Sequence, residues 1–202
     1  MLECARPTLL QKIFIMEVVS LILKLVSVIL LADFLTGCAH FWMDQYGRED
    51  MPLVGKFVVE VNILHHKNPR HLCSNNYWQL TWTSWAFGGL LLLLEWLVIG
   101  GVGWGGIVLV VYGSQANLIH KWTHQTKIEN GKFITWLQNW HIIQSTPHHR
   151  FHHVAPFDAH FCILTDWLNP VLEKTKFWEG VIAFFKWFGI QPVAGQAVRK
   201  NV

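Results

Sequence analysis

Histidine is the residue type in this sequence with the clearest chemical potential. Twelve histidines occur among 202 residues, and most of them stand in pairs or short clusters. His120 and His124 are separated by about one helical turn, so a helix would project both imidazoles from one face. His149, His152 and His153 form an HxxHH pattern, whose spacing favours the same arrangement. Imidazoles that share a face in this way suit a bound metal ion.

Polar residues near these clusters are candidate partners for the same metal ions. His40 and Asp44 are one helical turn apart, and Asp33 precedes His40 by two turns on nearly the same face. Asn117 precedes His120 by about one turn. Carboxylate and amide groups at such positions either bind a metal directly or hold the N–H of a ligand imidazole. We expect the second role for Asp33, Asp44 and Asn117.

The kind of metal follows from the motifs that are present and absent. A zinc metalloprotease needs Glu directly after the first His of HExxH, and Lys121 occupies that place. Soluble di-iron carboxylate bundles use ExxH pairs, which the sequence lacks. Imidazole-rich ligand sets fit iron, copper or zinc, and a dozen histidines are enough for two ions. A membrane di-iron oxidase is therefore favoured.

The composition indicates a chain whose solvent is a lipid bilayer. Hydrophobic residues make up 52% of it and charged residues 14%, and its twelve Trp are typical of membrane interfaces. A net charge of +3 without an arginine-rich block argues against nucleic-acid binding. The cysteines form no CxxC pair and are expected to be reduced and unpaired: Cys4, Cys38, Cys73 and Cys162.

Apolar stretches long enough to span a bilayer occur at residues 13–32 and 78–118. The second contains one charge, Glu95, and is about twice too long for one crossing at about 1.5 Å per residue. Clustered glycines favour a turn around Glu95 to Gly105, and one long tilted helix is the alternative. We predict an all-α integral membrane protein with about three transmembrane helices, at residues 13–32, 78–94 and 101–118.

A hairpin returns the chain to its starting side, so every histidine would lie on one face of the membrane. Of the sixteen Lys and Arg, only Arg6 and Lys12 would lie opposite and Lys24 within a span, which makes the histidine face cytoplasmic. We treat residues 1–202 as one domain, in which residues 35–77 and 119–175 form a histidine-rich helical cap. Residues 176–190 are too short to span and predict either an interfacial helix or a cover over the core.

Seven segments between about Leu31 and Trp178 carry a family resemblance. They are ADFLTGCAHFWMD (32–44), PLVGK (52–56), HHKNP (65–69), NLIHKWTH (117–124), LQNWHII (137–143), PHHRFHHVAP (147–156) and FCILTDWLNPVLEK (161–174). With them the chain resembles the plasmanylethanolamine desaturase family, which also includes bacterial proteins and the plant plastid enzyme that desaturates palmitate on phosphatidylglycerol. The resemblance implies a helical membrane fold, two iron ions, O2 as co-substrate and insertion of a C=C bond into a lipid-linked chain.

Carried over residue by residue, the resemblance implies ten metal-binding histidines and three supporting polar residues. His71 and His160 fall where the family has other residue types, and we expect them to be surface or packing residues. The implied supports are Asp33, Asp44 and Asn117. The implied ligands are His40, His65, His66, His120, His124, His141, His148, His149, His152 and His153.

The lipid and the electron donor are less well defined. Asn75 and Phe157 stand where animal members usually have histidine, and Asp166 where they have glycine, so the substrate stays open between an ether-linked alkyl chain and an acyl chain of a phospholipid. We expect an oxidoreductase with an external donor of cytochrome b5 or ferredoxin type, since the chain has no flavin, nicotinamide or iron–sulfur motif. The alternatives are a di-iron lipid hydroxylase and a non-catalytic metal-binding or transport protein, against which the histidine-free spans argue.

Overall fold

A computed structural model describes residues 8–193, and Cys4 and Arg6 lie outside that range. The described chain is helical and has no strand, which confirms the all-α prediction. Its cysteines, Cys38, Cys73 and Cys162, are unpaired. A π-helical segment (Gly55–Val59) and a 3-10 helix (Pro69–Ser74) flank the second α-helix. The α-helices are α1 (Leu9–Gln45), α2 (Glu60–Lys67), α3 (Tyr77–Ile99), α4 (Trp104–Gly113), α5 (Ala116–His124), α6 (Lys127–Asn139), α7 (Thr146–His149), α8 (Asn169–Lys174) and α9 (Phe177–Trp187).

Helix α1 is the longest element, and it joins an apolar region to a polar one. Thr8 caps its N-terminus, where Thr8 Oγ1 accepts from the Gln11 backbone N–H at 3.3 Å. The residues that follow are apolar and exposed, and α1 is long and apolar enough to cross a bilayer. The C-terminal part of the helix buries Asp33, His40 and Asp44. One continuous helix therefore leads from an exposed apolar segment into a buried polar site.

Helices α3 and α4 form the predicted hairpin. Helix α3 ends where Gly100 adopts a φ of 78°, a left-handed conformation that favours glycine. Glu95 Oε1 then accepts from the Gly103 backbone N–H at 3.0 Å, just before α4 begins. These contacts confirm the prediction of a turn between Glu95 and Gly105.

Helix α4 packs between α1 and α3. Gly88 of α3 lies so close to Val110 of α4 that a larger side chain there would collide with it, and small residues of this kind permit close packing of apolar helices. The residues predicted as a third span, 101–118, are divided between α4 and α5. Within residues 8–193, two helices, α1 and α3, are long and apolar enough to cross a bilayer.

The loop at residues 161–166 holds α1 against the segment that precedes α7. Asp33 of α1 accepts from the backbone N–H of Leu164 at 2.8 Å, and from the backbone N–H and hydroxyl of Thr165 at 3.2 and 2.6 Å. Gln144 donates through its backbone to Leu164 O and through its side chain to Cys162 O, at 2.8 and 2.7 Å. All five residues are buried. These bonds satisfy polar groups whose burial would otherwise be costly, and they fix α1 relative to the start of α7.

Helix α9 lies where residues 176–190 predicted a helix. Trp178 is buried and stacks on Phe41 of α1, with ring centroids 4.7 Å apart. Phe184, Trp187 and Phe188 are exposed. One face of α9 therefore covers the core, as one of the two interpretations expected. The other face is apolar and exposed, so the interfacial interpretation stays a prediction.

Candidate metal centre

Imidazoles from α2, α5 and the region of α7 converge in one group. Helix α5 places His120 and His124 on one face, as their spacing predicts. Helix α2 contributes His65, whereas α7 and the turns after it contribute His149 and His153. One nitrogen atom from each residue lies within 4.8 Å of those of the others. We call His65, His120, His124, His149 and His153 the five-histidine group.

A second group lies beside the first, near the end of α1. Its members are His40 and Asp44 of α1, His66 of α2 and His152, and one potential ligand atom from each lies within 4.8 Å of the others. We call these residues the Asp44 group. The ring centroids of His40 and His120, which belong to different groups, are 5.6 Å apart. The two groups are therefore adjacent, and metal ions bound in them would be neighbours.

Two pairs of consecutive histidines each contribute to both groups. His65 belongs to the five-histidine group and His66 to the Asp44 group, and His153 and His152 divide in the same way. Successive residues in helical conformation project about 100° apart, so sequence neighbours point toward different centres. In these two dipeptides, neighbouring histidines therefore belong to adjacent groups.

Backbone carbonyls orient two rings of the Asp44 group. His40 Nδ1 donates to Phe161 O at 3.1 Å, and His152 Nδ1 donates to Ala159 O at 2.8 Å. A carbonyl oxygen can only accept, so the proton of each neutral ring lies on Nδ1. Nε2 of each ring then carries a lone pair on the side of the other group members, which is the arrangement that metal-binding histidines adopt.

Asp44 has one carboxylate oxygen bonded to the protein and one without a partner. Oδ1 accepts from Asn62 Nδ2 at 2.6 Å and from His66 Nε2 at 2.9 Å. Oδ2 has no hydrogen-bond partner and lies 3.5 Å from His40 Nε2 and 3.4 Å from His152 Nε2. Since both of these nitrogens carry lone pairs, three acceptor atoms face one another. A cation between them would satisfy all three.

Buried atoms without partners are concentrated in these groups. Among the described residues they include His40 Nε2, Asp44 Oδ2, His152 Nε2 and, in the five-histidine group, His124 Nε2. An unsatisfied buried polar atom costs about 1–3 kcal/mol, so several in one place require an explanation. The residues present fit two cations that are held by imidazole nitrogens and one carboxylate, a donor set suited to iron or zinc.

Burial keeps the clustered imidazoles neutral. It lowers the pKa of His65, His120 and His149 well below the usual value, and neighbouring imidazoles lower these pKa values further. Burial also lowers the pKa of His124 to about 4 and the pKa of His153 to about 2. These rings are therefore unprotonated near neutral pH, which is the state that binds a metal ion.

His141 and His148, which the resemblance also implies as ligands, lie outside both groups. His141 Nδ1 donates to Asp166 Oδ2 at 2.6 Å, and the His141 ring is exposed. His148 Nε2 accepts from Asn169 Nδ2 at 3.1 Å and lies 3.4 Å from His160 Nδ1. The structure thus brings together eight of the ten implied histidines.

The three residues predicted to support the ligands, Asp33, Asp44 and Asn117, have different partners in the structure. Asp44 lies among the clustered imidazoles, where it is a candidate ligand. Asp33 accepts from the backbone of residues 164–165, and Asn117 Nδ2 donates to Leu80 O at 2.9 Å, so their bonds join elements of the fold. Sequence reasoning missed Asn62, which holds Asp44; its position one turn before His66 was the available signal. His71 lies in the 3-10 helix and belongs to neither group.

Comparison with known proteins places the chain among lipid-modifying proteins. Residues 29–194 match the family model described as a lipid desaturase domain. The chain is 36% identical to plasmanylethanolamine desaturase 1 of Mus musculus, over 78% of this chain and 62% of that protein. It is 26% identical to plasmanylethanolamine desaturase of Myxococcus xanthus, over 78% of this chain and 58% of that protein. It is 29% identical to the chloroplastic fatty acid desaturase 4 of Arabidopsis thaliana, over 81% of this chain and 51% of that protein.

The chain combines exposed apolar helices with two adjacent groups of ligand-type side chains. These are the features of a membrane protein with a candidate metal centre. The chain belongs to the lipid desaturase family, which confirms the resemblance carried by the seven segments. It spans from about half to about three fifths of the length of the three relatives described above. No solved structure matches it.

Proposed function

We propose that this chain is a multi-pass membrane lipid desaturase, an oxidoreductase that uses O2 and a di-iron centre to introduce a C=C bond into a chain of a phospholipid. The observation that carries this proposal is the adjacency of two groups of ligand-type atoms, the five-histidine group and the Asp44 group. Membership of the lipid desaturase family supports a lipid-modifying enzyme.

Iron is the metal that we propose for both groups. Neutral imidazoles and one carboxylate, without thiolate, are suited to iron in O2 chemistry. Iron bound there would supply the oxidising chemistry that side chains lack. In the overall reaction O2, two external electrons and two protons combine with two hydrogens from adjacent carbons of the lipid, and the products are the alkene and two molecules of water.

The residues of this chain would preorganise the site. Carbonyl oxygens hold His40 and His152, so their Nε2 lone pairs face inward before any metal binds. Asn62 holds Asp44 in the same way. Such supporting bonds keep ligands in productive geometry. Burial of His65 and the other central rings excludes bulk water, which protects a reactive centre from side reactions.

The membrane placement that we propose has spans at residues 13–32, 78–94 and 101–118, with the histidine-rich cap on the cytoplasmic side. The exposed apolar surfaces of α1 and α3 support it, as does the excess of Lys and Arg on the cap. An apolar cluster that contains Ala32, Ala116 and Ile119 lies where α1 meets α5, close to the histidine groups. This buried cluster joins the apolar helices to the histidine groups, and a lipid chain would approach the groups from that side.

The substrate class that we propose is a phospholipid with an ether-linked alkyl chain or an acyl chain. The names of relatives include both plasmanylethanolamine desaturases and a fatty acid desaturase. The two electrons would come from a carrier of cytochrome b5 or ferredoxin type. Lys67 and Arg150 are exposed and directly follow His66 and His149, so the surface near the groups favours an acidic carrier.

Comparative lipidomics tests this proposal. Membranes from cells that express the wild type are compared with membranes that contain His120→Ala or the control His71→Ala, which removes an imidazole outside both groups. We expect lipids lighter by two hydrogens with the wild type and His71→Ala only, and their masses would name the substrate. Lipids heavier by one oxygen would indicate a hydroxylase. Unchanged lipids in all three membranes would contradict an enzyme and leave a metal-binding or transport protein.

A further inference from the structure

Helix α6 carries a row of exposed aromatic side chains. Phe133, Trp136 and Trp140 are spaced by three and four residues, so they share one face of the helix. Their exposed fractions are 68%, 48% and 68%. The ring centroids of Phe133 and Trp136 are 6.5 Å apart, and those of Trp136 and Trp140 are 6.3 Å apart. We call this continuous surface the aromatic ridge.

Other apolar residues of α6 pack on the core against which α4 also packs. Ile134 and Leu137 contact the same apolar cluster as Leu109 and Tyr112 of α4. Val111, which lies between these two residues of α4, is 48% exposed. Helices α6 and α4 therefore pack on one apolar core, and each also exposes apolar side chains, those of α4 on a helix that the proposed function places in the membrane.

The composition of α6 favours a lipid surface over a protein surface. Tryptophan rings are enriched where a bilayer meets water, because the ring is apolar and the N–H stays hydrated. Lys132 is exposed directly before Phe133, and Lys127 is exposed in the turn of helix that precedes a break at Gly131, where φ is 69°. Their ammonium groups can meet lipid phosphates. An aromatic face together with exposed lysines is typical of a helix that lies in the membrane interface.

We propose that α6 lies in the cytoplasmic interface of the bilayer with the aromatic ridge inserted among the lipids. This proposal rests on the membrane placement given under the proposed function. Residues 140–145 lead directly from α6 to α7, which contributes His149 to the five-histidine group. Insertion of the ridge thus seats the metal-binding part of the cap against the membrane from which the lipid chain enters.

Photocrosslinking to lipid tests the proposal without depending on activity or metal. The photoreactive amino acid p-benzoylphenylalanine replaces Phe133 or Trp140 in the full chain, which is reconstituted in vesicles of phosphatidylcholine and phosphatidylglycerol. Leu90, exposed on α3 within the proposed span, is the membrane reference, and Glu49, exposed in the loop after α1, is the water reference. We expect phospholipid adducts at positions 133 and 140 with a yield comparable to that at position 90, and none above background at position 49.

Other results would overturn the proposal in distinguishable ways. Adducts at position 90 but not at 133 and 140 would exclude insertion of the ridge. Crosslinks from the ridge to a second copy of the chain would show that the ridge is a protein interface instead. A lack of adducts at position 90 would contradict the membrane placement itself, and the α6 proposal with it. Full lipid adducts in a chain that desaturates no lipid would leave α6 as proposed and remove the desaturase.

Discussion

Two sets of histidines in this molecule have similar sequence patterns but different surroundings. The five-histidine group and the Asp44 group contain buried rings, several of which have a nitrogen without a hydrogen-bond partner. His141 and His148, in contrast, are bonded to Asp166 and Asn169. We call His141 and His148 the peripheral histidines. A cation would satisfy the unpaired atoms of the two groups, whereas residues of the protein already bind the peripheral histidines.

This difference shows what distinguishes a candidate ligand from another histidine in a cluster. His148 and His149 are neighbours in sequence, yet only His149 enters a group. Adjacent residues in helical conformation point in different directions, so one member of a dipeptide can face the site while the other faces away. The property that distinguishes the group members is a ring nitrogen that faces the nitrogen or carboxylate atoms of other members, and this depends on contacts between distant parts of the chain.

Removal of one central imidazole should have the largest effect. His120→Ala deletes a buried member of the five-histidine group, and we expect desaturation to fall by more than about 100-fold. Loss of a supporting group alone typically costs about 10–100-fold, and His120 is a candidate ligand. Iron per chain, measured on purified protein, should fall as well. The control His71→Ala should leave both quantities unchanged, and retention of iron by His120→Ala would contradict its assignment.

Acidification should affect the metal-free protein strongly. Burial lowers the pKa of His124 from 6.5 to about 4, so between these values the unfolded chain binds more protons than the folded chain. The free energy of unfolding should therefore be highest above pH 6.5 and fall by about 3 kcal/mol as the pH decreases through this window, at about 1.4 kcal/mol per unit. Denaturant unfolding of chelator-treated protein at several pH values measures this. Constant stability over the window would contradict a buried neutral His124.

A narrower perturbation separates the two groups from each other. Asp44→Asn removes the one carboxylate among the candidate ligands, and we expect metal affinity in the Asp44 group to fall by about 10–100-fold. The five-histidine group should keep its ion, so iron per chain should decrease by about half. Metal analysis after dialysis against a weak chelator measures this. The matched control is Asp50→Asn at an exposed ion pair with Arg48, and equal iron loss in both variants would refute a special role for Asp44.

Asp33→Asn tests whether a buried carboxylate outside the groups stabilises the fold or the metal. Asp33 accepts from Leu164 and Thr165, and a hydrogen bond to a charged group contributes about 1.5–3 kcal/mol. We expect the free energy of unfolding to fall by about 2 kcal/mol, with unchanged iron per folded chain. Chemical unfolding in detergent together with metal analysis gives both quantities. Iron loss at unchanged stability would place Asp33 in the metal site.

The smallest effect on iron content and activity is expected at the peripheral histidines. His141→Ala removes an exposed ring whose partner, Asp166, is largely buried, and loss of such a hydrogen bond lowers the free energy of unfolding by about 0.5–1.5 kcal/mol. Iron content and desaturation should change by less than about twofold. Metal analysis and lipidomics of this variant provide the comparison with His120→Ala. An iron loss as large as that of His120→Ala would show that the two sets of histidines are not different in kind.

Local features of the structure could be predicted from the sequence. The hairpin turn follows from clustered glycines after a long apolar run, and the shared face of His120 and His124 follows from their spacing. Helix α9 follows from an apolar segment that is too short to span. Each of these depends on residues within a few helical turns of one another, and helical periodicity is reliable over that range.

The division of roles among the polar residues could not be predicted in the same way. Asp33 precedes His40 and Asp44 follows it on one helix face. Asp33 nevertheless accepts hydrogen bonds from a loop more than a hundred residues away, whereas Asp44 faces the imidazoles. The carbonyls of Phe161 and Ala159, which orient His40 and His152, have no sequence signature at all. Such roles depend on tertiary contacts, which single-sequence patterns do not contain.

The most direct test of the proposed di-iron centre is the metal content of the purified wild-type chain. It is measured by elemental mass spectrometry after expression with iron and zinc both available. The two adjacent groups predict about two iron ions per chain, one for each group, with little zinc. A single ion per chain, or zinc in place of iron, would contradict a di-iron centre built from the five-histidine group and the Asp44 group.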